Sequence, residues 1–354
     1  MTAPDDDADA PIPLPLLLRA PHPDGAPLPP PAQLPSGVRH LRGVPYGELD
    51  GSRPLELDLW LPAAPAPSAP LVLFVHGGAW RRGRRDDMGL HTRQWTPGPL
   101  ARIAETGFAV AAVDYRLSGE AVFPAPLEDL RTALRWLALR ADELGVDVGR
   151  TVVWGESAGG HLTSLLTLTG SASESGTTRP EPGPDMPATG ITASEPETTG
   201  PAPGTAVPAT TTPEAAPMRP EAAVVLSGAV VWYGPSDFTT PRGYYSPHAA
   251  GTPDAWFLGA PAATVPALAR TASPLAQVHP AAPPFLLVHG AADSMVPCSH
   301  SEDLAAALKG CGVRAELRLV PGADHGWHGV SQETVAEVFT YSLDFARALV
   351  GLTD

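Results

Sequence analysis

The sequence predicts an α/β protein whose mostly parallel sheet carries helices on both faces. Three continuous apolar runs, at residues 71–75, 108–113 and 284–289, have the pattern of strands that are buried on both sides. Segments of helical periodicity separate such strands, as in residues 127–144. A G-x-S-x-G sequence at residues 155–159 lies between a strand pattern and a helix pattern. This alternation predicts a doubly wound sheet.

The ordered part of the chain is predicted to begin near residue 37. Residues 1–36 are rich in Pro, Ala and Asp and show no periodicity, which indicates a disordered extension. Residues 38–46 follow as an extended segment. Residues 55–61 alternate strictly between apolar and polar side chains, the pattern of a half-buried antiparallel strand. An antiparallel section therefore precedes the buried strand at residues 71–75.

A second low-complexity segment interrupts the α/β pattern at residues 171–220. It consists mainly of Pro, Thr, Ala, Glu and Gly, and it lacks the apolar surface needed to offset the entropy cost of ordering. We interpret it as a disordered insertion within one domain that spans residues 37–354. The strand pattern resumes at residues 222–233. Residues 238–278 are mixed in character and are a candidate for a small cap.

The last part of the chain continues the α/β pattern. The buried strand at residues 284–289 is followed by a helix at residues 302–308, which Gly310 ends. A strand at residues 315–320 comes next. Ser331 then caps a C-terminal helix with an apolar face.

Composition limits the possible partners and location. The chain has 354 residues, 43% of them apolar, and a net charge of −15, which argues against nucleic acid or an anionic membrane as partner. Its two cysteines, Cys298 and Cys311, flank a helix about 18 Å long, too far apart for a disulfide. Neither metal-ligand spacing nor a signal peptide is recognised, and no apolar run reaches the roughly 20 residues of a membrane span. We expect a cytoplasmic protein without a metal; its oligomeric state is not predicted.

The G-x-S-x-G sequence makes Ser157 a candidate nucleophile. Residues 152–154 are β-branched or aromatic, Gly155 and Gly159 surround the serine, and an apolar, helix-periodic segment follows. A serine in such a strand, turn and helix is exposed above the sheet edge, and only small neighbours allow so tight a turn. An ordinary glycine-rich turn is the alternative, so the assignment depends on partner residues elsewhere in the chain.

Two residues that follow predicted strands complete a Ser-Asp-His set. A serine hydroxyl is a weak nucleophile that needs a base, and the base needs a carboxylate to orient it. Asp293 comes just after the strand at residues 284–289, and His325 comes just after the strand at residues 315–320. The alternatives are a helix cap for Asp293 and a turn histidine for His325. Asp324 is not expected to orient the adjacent ring and is predicted to be structural.

A glycine-rich loop after the strand at residues 71–75 is a candidate oxyanion hole. A tetrahedral intermediate of acyl transfer carries negative charge on the former carbonyl oxygen, and backbone N–H groups of such a loop can approach that oxygen closely. We expect the N–H groups of Gly78 and Ala79, together with that of Ala158 beside the serine, to bind it. A tight glycine turn is the alternative.

Six motifs support these assignments as a set: HGGAW, DYRL, GESAGGHL, YGPSD, HGAAD and DHGW, in that order. Together they resemble the α/β-hydrolase esterases of the hormone-sensitive-lipase-like kind, most closely the bacterial feruloyl/acetyl-xylan-esterase-like branch, with kynurenine formamidases as near relatives. The resemblance covers residues 38–350 except the insertion. It implies an α/β-hydrolase fold with an eight-stranded sheet, a Ser-Asp-His triad and no cofactor. Ala79 occupies the position at which many relatives have a third glycine. Its backbone N–H should still bind the oxyanion, because that group does not depend on the side chain.

The predicted function is hydrolysis of carboxylic esters of small or medium acyl groups through an acyl-enzyme on Ser157, with a small-molecule ester as partner. Trp80, Tyr233 and Trp327 follow site loops, and we expect them to line the substrate pocket, with core packing as the alternative. Three other functions remain open. They are amide hydrolysis of the kynurenine formamidase type, a non-catalytic binding protein of the same fold, and tethering of a partner by the proline-rich segments.

Overall fold

One sheet organises the part of the chain that the structure, a computed structural model, describes: residues 22–49, 52–63, 68–170, 223–243 and 245–352. Its nine strands are β1 (Ala32–Gln33), β2 (Arg39–Gly47), β3 (Leu55–Leu61), β4 (Ala69–Val75), β5 (Ala109–Val113), β6 (Val146–Glu156), β7 (Leu226–Trp232), β8 (Phe285–Gly290) and β9 (Ala315–Val320). Their spatial order is β1-β2-β3-β5-β4-β6-β7-β8-β9. Strands β1, β2, β3 and β5 pair antiparallel in succession, and every pairing from β5 to β9 is parallel.

Helices cover both faces of this sheet. In the described residues they are α1 (Pro99–Glu105), α2 (Ala125–Leu139), α3 (Ala141–Leu144), α4 (Ala158–Thr169), α5 (Pro253–Leu258), α6 (Pro266–Thr271), α7 (Ser299–Gly310) and α8 (Gln332–Val350). Strand β4 illustrates the arrangement. Leu73 packs in a core with residues of α2 and α4, whereas its neighbour Phe74 packs in a second core with residues of α1 and α8. Both side chains are fully buried, which explains the continuous apolar runs of the sequence.

The predicted α/β-hydrolase class agrees with this architecture, and two details of the prediction were wrong. The sheet has nine strands within the described residues because β1 adds a short strand at its edge. Helix α1, between β4 and β5, was not predicted from the sequence. The antiparallel strand at residues 55–61 and the last strand at residues 315–320 are confirmed, but the first of them is not half-buried, because all its residues except Glu56 are buried.

The domain begins before the predicted boundary at residue 37. The carbonyl oxygen of Pro23 accepts hydrogen bonds from the Nε1 of Trp136, at 2.9 Å, and from an Nη of Arg140. Hydrogen-bond donors on α2 and just after it therefore hold the beginning of the described chain. The composition of residues 22–36 does not predict this contact, because the donors lie more than 100 residues away in the sequence. The predictions of disorder for residues 1–21 and 171–220 fall on segments outside the described residues.

The segment predicted as a cap, residues 238–278, contains α5 and α6. Phe257 of α5 stacks on Trp80 with a ring-centroid distance of 4.8 Å, so the segment is fixed to the glycine-rich loop that follows β4. The two cysteines lie at the two ends of α7 and form no disulfide. None of the described helices combines the length and apolar character needed to cross a membrane.

The cap of α8 can be tested by substitution. The Oγ of Ser331 accepts a hydrogen bond from the backbone N–H of Thr334 at 3.1 Å. Ser331→Ala leaves that N–H without its acceptor and should lower the free energy of unfolding by about 1 kcal/mol in urea denaturation. Ser331→Asp retains an acceptor and should stay within a few tenths of a kcal/mol of the unsubstituted protein. Equal losses in both variants would show that the cap does not stabilise α8.

Candidate active site

The turn between β6 and α4 presents Ser157 in a strained conformation. Ser157 has φ 51° and ψ −119°, in a region that non-glycine residues rarely adopt. A Cβ on Gly159 would overlap the carbonyl oxygens of Val75 and His76, and a Cβ on Gly155 would overlap the carbonyl oxygen of Gly159. Glycine at both positions therefore allows α4 to start directly against the end of β4, with the serine at the apex of the turn.

The structure brings Ser157, His325 and Asp293 into one chain of hydrogen bonds. The Oγ of Ser157 lies 3.0 Å from the Nε2 of His325, and the Nδ1 of His325 lies 2.8 Å from the Oδ2 of Asp293. The three residues follow β6, β9 and β8, whose carboxyl ends meet at one edge of the sheet because these strands are parallel. This is the spacing that a nucleophile, a base and an orienting carboxylate require.

Asp293 is held as a carboxylate by several donors. Its Oδ1 accepts hydrogen bonds from the backbone N–H groups of Met295 and Val296, at 3.0 and 2.7 Å. Its Oδ2 also lies 3.3 Å from the Nε2 of His289, a buried contact that the sequence did not indicate. Burial alone raises the pKa of Asp293, but hydrogen bonds from His289 and His325 outweigh it and hold the pKa well below its usual range.

Asp324 joins the two loops that carry the other polar residues of the site. Its Oδ1 accepts hydrogen bonds from the backbone N–H groups of His325 and Ser294, both at 2.7 Å. Ser294 lies in the loop of Asp293, so the Asp324 carboxylate holds that loop beside the loop of His325. The structural role predicted for Asp324 is confirmed by these contacts.

Tyr233 and Trp327 are buried and are not part of the described lining of the cavity that adjoins Ser157, contrary to the expectation from the sequence. Both are at most 2% exposed and pack in the core with residues of α8. Tyr233 donates a 2.5 Å hydrogen bond to the Glu156 carboxylate, and its ring meets the His325 ring edge-on at 4.9 Å. Tyr233 and Trp327 have positive φ values of 38° and 67°. The Tyr233 ring contacts both the Trp327 ring and the His325 ring.

A small cavity of about 50 Å³ adjoins the serine. Ser157, Ala79 and Ala158 form one side of it. The remaining described lining residues come from the loop after β4, the cap segment and the loop of Asp293: Trp80, Tyr245, Pro253, Asp254, Met295 and Val296. Trp80 therefore lines this space as expected, and its ring also packs on Phe257 and His161.

The loop after β4 has an unusual backbone. Gly78, Ala79 and Trp80 have φ values of 117°, 57° and 54°. A Cβ on Gly78 would overlap the carbonyl oxygen of Arg82, so glycine is required there. Within the described part of the chain, the N–H groups of Gly78 and Ala79 donate to no backbone acceptor outside helices and strands. Ala158 begins α4, where an N–H has no intrahelical partner and negative charge is favoured.

Sequence reasoning missed the other half of the cavity. Asp254 lies far from the site motifs in the chain, and nothing in the local sequence distinguishes it from an ordinary acid in the first turn of a helix. Met295 and Val296 follow Asp293 directly, but no residue pattern marks them as lining residues. Among the described residues, no three His, Cys, Asp or Glu side chains are grouped as a metal site would require. The absence of a metal and of a cofactor stays a prediction.

Comparison with known proteins finds one matching family model and relatives that are esterases by name. The BD-FAE family model matches residues 57–308. Esterase LipC of Mycobacterium tuberculosis is 28% identical over 297 residues, which cover 81% of this chain and 60% of LipC. Esterase LipQ of the same organism is 28% identical over 317 residues, which cover 87% of this chain and 62% of LipQ. The chain thus spans about six-tenths of the length of these two curated relatives.

Solved structures share the fold. A truncated carbohydrate esterase from gut microbiota superposes with a TM-score of 0.66 at 22% identity, covering 90% of this chain and 99% of that one. Esterase B of Lactobacillus rhamnosis superposes with a TM-score of 0.61 at 20% identity, and the match covers 90% of this chain and 88% of that one. The α/β-hydrolase fold predicted from the motifs is therefore confirmed.

The lowered pKa of Asp293 predicts a pH-dependent contribution to stability. A carboxyl whose pKa is lower in the folded state stabilises the fold above its unfolded-state pKa, about 3.9, and loses that effect as the pH falls through the folded-state pKa. Asp293→Asn should therefore be less stable than the unsubstituted protein by about 1–3 kcal/mol at pH 7. The difference should shrink as the pH falls below about 4.

Urea denaturation at pH 7, 5, 4 and 3 measures this difference directly. Glu302→Gln, which alters an exposed acid on α7, serves as the control for removal of one negative charge. If Asp293→Asn were as stable as the unsubstituted protein at pH 7, or if the difference were the same at every pH, the carboxylate would not be stabilised as inferred.

Proposed function

Because the chain belongs to the BD-FAE family, we propose that it is a serine esterase that hydrolyses carboxylic esters of small or medium acyl groups. The observation that carries the proposal is the hydrogen-bond chain from Ser157 through His325 to Asp293. Two relatives that are esterases by name, LipC and LipQ, support the choice of ester. Ser157, His325 and Asp293 would form the catalytic triad.

In the first step His325 acts as the base. Its Nε2, 3.0 Å from the Oγ of Ser157, takes the hydroxyl proton while the Oγ attacks the ester carbonyl carbon. The ring then carries a positive charge, which the Asp293 carboxylate stabilises across its 2.8 Å contact with Nδ1. The lowered pKa of Asp293 suits this role, because the group is ionised when the imidazolium forms.

The tetrahedral intermediate needs donors for its oxyanion. The N–H groups of Gly78, Ala79 and Ala158 would supply them, and they belong to a loop and a helix start whose backbone is already fixed by packing. Preorganised donors of this kind contribute on the order of 100- to 1,000-fold each to the rate. His325 then protonates the leaving alcohol, and a water activated by the same ring releases the acid from Ser157.

The other functions considered for this chain receive less support. The same triad would serve amide hydrolysis of the kynurenine formamidase type, but the named relatives favour the ester. A non-catalytic role fits poorly with three residues held at hydrogen-bonding distance. The cytoplasmic location, the absence of a nucleic-acid partner and the tethering role of the proline-rich segments stay predictions.

The proposal predicts that Ser157→Ala abolishes ester hydrolysis. With p-nitrophenyl esters from acetate to decanoate, kcat should fall by about 10⁴- to 10⁶-fold because the nucleophile is removed. The unsubstituted protein should hydrolyse the shorter acyl esters faster than decanoate, because the described cavity beside Ser157 is small. Ser52→Ala, a change at an exposed serine, is the matched control and should leave the rates unchanged.

Circular dichroism and thermal unfolding establish that both variants are folded. Residual activity of Ser157→Ala within tenfold of the unsubstituted protein would exclude Ser157 as the nucleophile. Turnover of p-nitroacetanilide with no turnover of any ester would instead favour an amidase.

A further inference from the structure

A second buried histidine, His289, lies beside the proposed triad. It is the penultimate residue of β8 and is fully buried. Its Nδ1 lies 2.7 Å from the Oγ of Ser301. Its Nε2 lies 2.8 Å from the carbonyl oxygen of Val296 and 3.3 Å from the Oδ2 of Asp293. The steps of ester hydrolysis do not use this ring directly, so its contact with the triad needs another reason.

The partners of His289 decide which of its ring nitrogens carries the proton. The carbonyl oxygen of Val296 and the ionised carboxylate of Asp293 only accept, so Nε2 carries a hydrogen that both oxygens share. The hydroxyl of Ser301, which is 1% exposed and lies on α7, donates to Nδ1. The ring is therefore held in one tautomer and in one orientation.

Two imidazole rings meet at one carboxylate oxygen. The Oδ2 of Asp293 lies 2.8 Å from the Nδ1 of His325 and 3.3 Å from the Nε2 of His289. Its Oδ1 accepts hydrogen bonds from two backbone N–H groups, so donors on both oxygens fix the plane of the carboxylate. The N–H of His289 also draws negative charge from Oδ2, and that oxygen then attracts a proton on the His325 ring less strongly.

Other titratable groups also surround these rings. Burial lowers the pKa of His300, on α7, to about 3, so this ring is neutral. Several more groups interact electrostatically with Asp293 or His325: Glu156, Tyr233, Tyr245, Cys298 and Asp324. Substitution of His289 leaves all of them in place. A change in the titration of the base would therefore report on the contact between His289 and the carboxylate.

We propose that His289 is a positioning residue of the triad, which fixes the Asp293 carboxylate through its Nε2–H and limits how strongly that carboxylate holds a proton on His325. This inference rests on the proposed esterase activity. Ser301 supports the role by donating to Nδ1, which keeps the hydrogen of His289 on the side of Asp293. The consequence is that His325 remains a neutral base at lower pH than it would beside a carboxylate without this second donor.

The test follows the acidic limb of the pH profile, where protonation of His325 abolishes the rate. kcat/KM for p-nitrophenyl acetate is measured from pH 5 to 9, at the wavelength at which nitrophenol and nitrophenolate absorb equally. His289→Asn keeps an acceptor for Ser301 but lacks the Nε2 donor, so the midpoint of the acidic limb should rise by about 0.5–1 pH unit.

Two further variants serve as controls. His289→Gln places an amide N–H near the position of Nε2 and should restore the midpoint of the unsubstituted protein. His22→Asn changes an exposed histidine and should not move the midpoint. Circular dichroism and thermal unfolding establish that each variant is folded.

The direction of the shift separates a positioning role from a merely structural one. If His289 only supported the loop, His289→Asn would loosen Asp293, and the midpoint would fall or stay in place. Either result would overturn the inference while the esterase function stands. An equal rise in His289→Gln would also overturn it, because the donor would not be the cause. Absence of any Ser157-dependent ester hydrolysis would overturn both proposals.

A measurement on the unsubstituted protein decides the case in which the His289 variants fail to fold. In NMR spectra of protein with isotopically labelled histidine, His289 should show a protonated Nε2 and an unprotonated Nδ1. Its signals are identified by their change in Ser301→Ala, which removes the hydroxyl beside Nδ1. An Nε2 without a proton would overturn the inference, because His289 would then have no hydrogen to share with Asp293.

Discussion

The close approach of α4 to the end of β4 is the constraint on which the site depends. Gly159 lies against the carbonyl oxygens of Val75 and His76, where any side chain would overlap them. Ser157, two residues earlier, has a positive φ of 51° and lies beside the loop that begins at His76. Ser157 and the expected oxyanion donors are thus placed by the contact of the start of α4 with the end of β4, the strand that pairs with β6.

The polar partners of the serine are held by hydrogen bonds from their own loops and from neighbouring segments. His289 and two backbone N–H groups fix the Asp293 carboxylate, and Asp324 joins that loop to the loop of His325. On the other side of the ring, Tyr233 is itself bonded to Glu156. His325 is therefore restrained by Asp293 at its Nδ1 and by the ring of Tyr233, which preserves a 3.0 Å contact with Ser157 across loops from distant parts of the chain.

The cavity beside the serine takes its described lining from three separate parts of the chain. Trp80 belongs to the loop after β4, Asp254 to the cap segment, and Val296 to the loop of Asp293. The walls of this cavity therefore depend on how these segments pack together.

The sequence by itself determined the strand and helix pattern, the turn around Ser157, and the positions of Asp293 and His325 after strands. Each of these depends on local patterns, namely periodicity, glycine placement and chain order, that survive in the linear sequence. Only the tertiary structure decided the rest. In the structure, Tyr233 is buried in the core and Pro23 accepts a hydrogen bond from Trp136 of α2. Asp254 of the cap segment lines the same cavity as Ser157. The reason is physical: these contacts join segments far apart in the chain, and no local pattern encodes which distant surface will cover a given side chain.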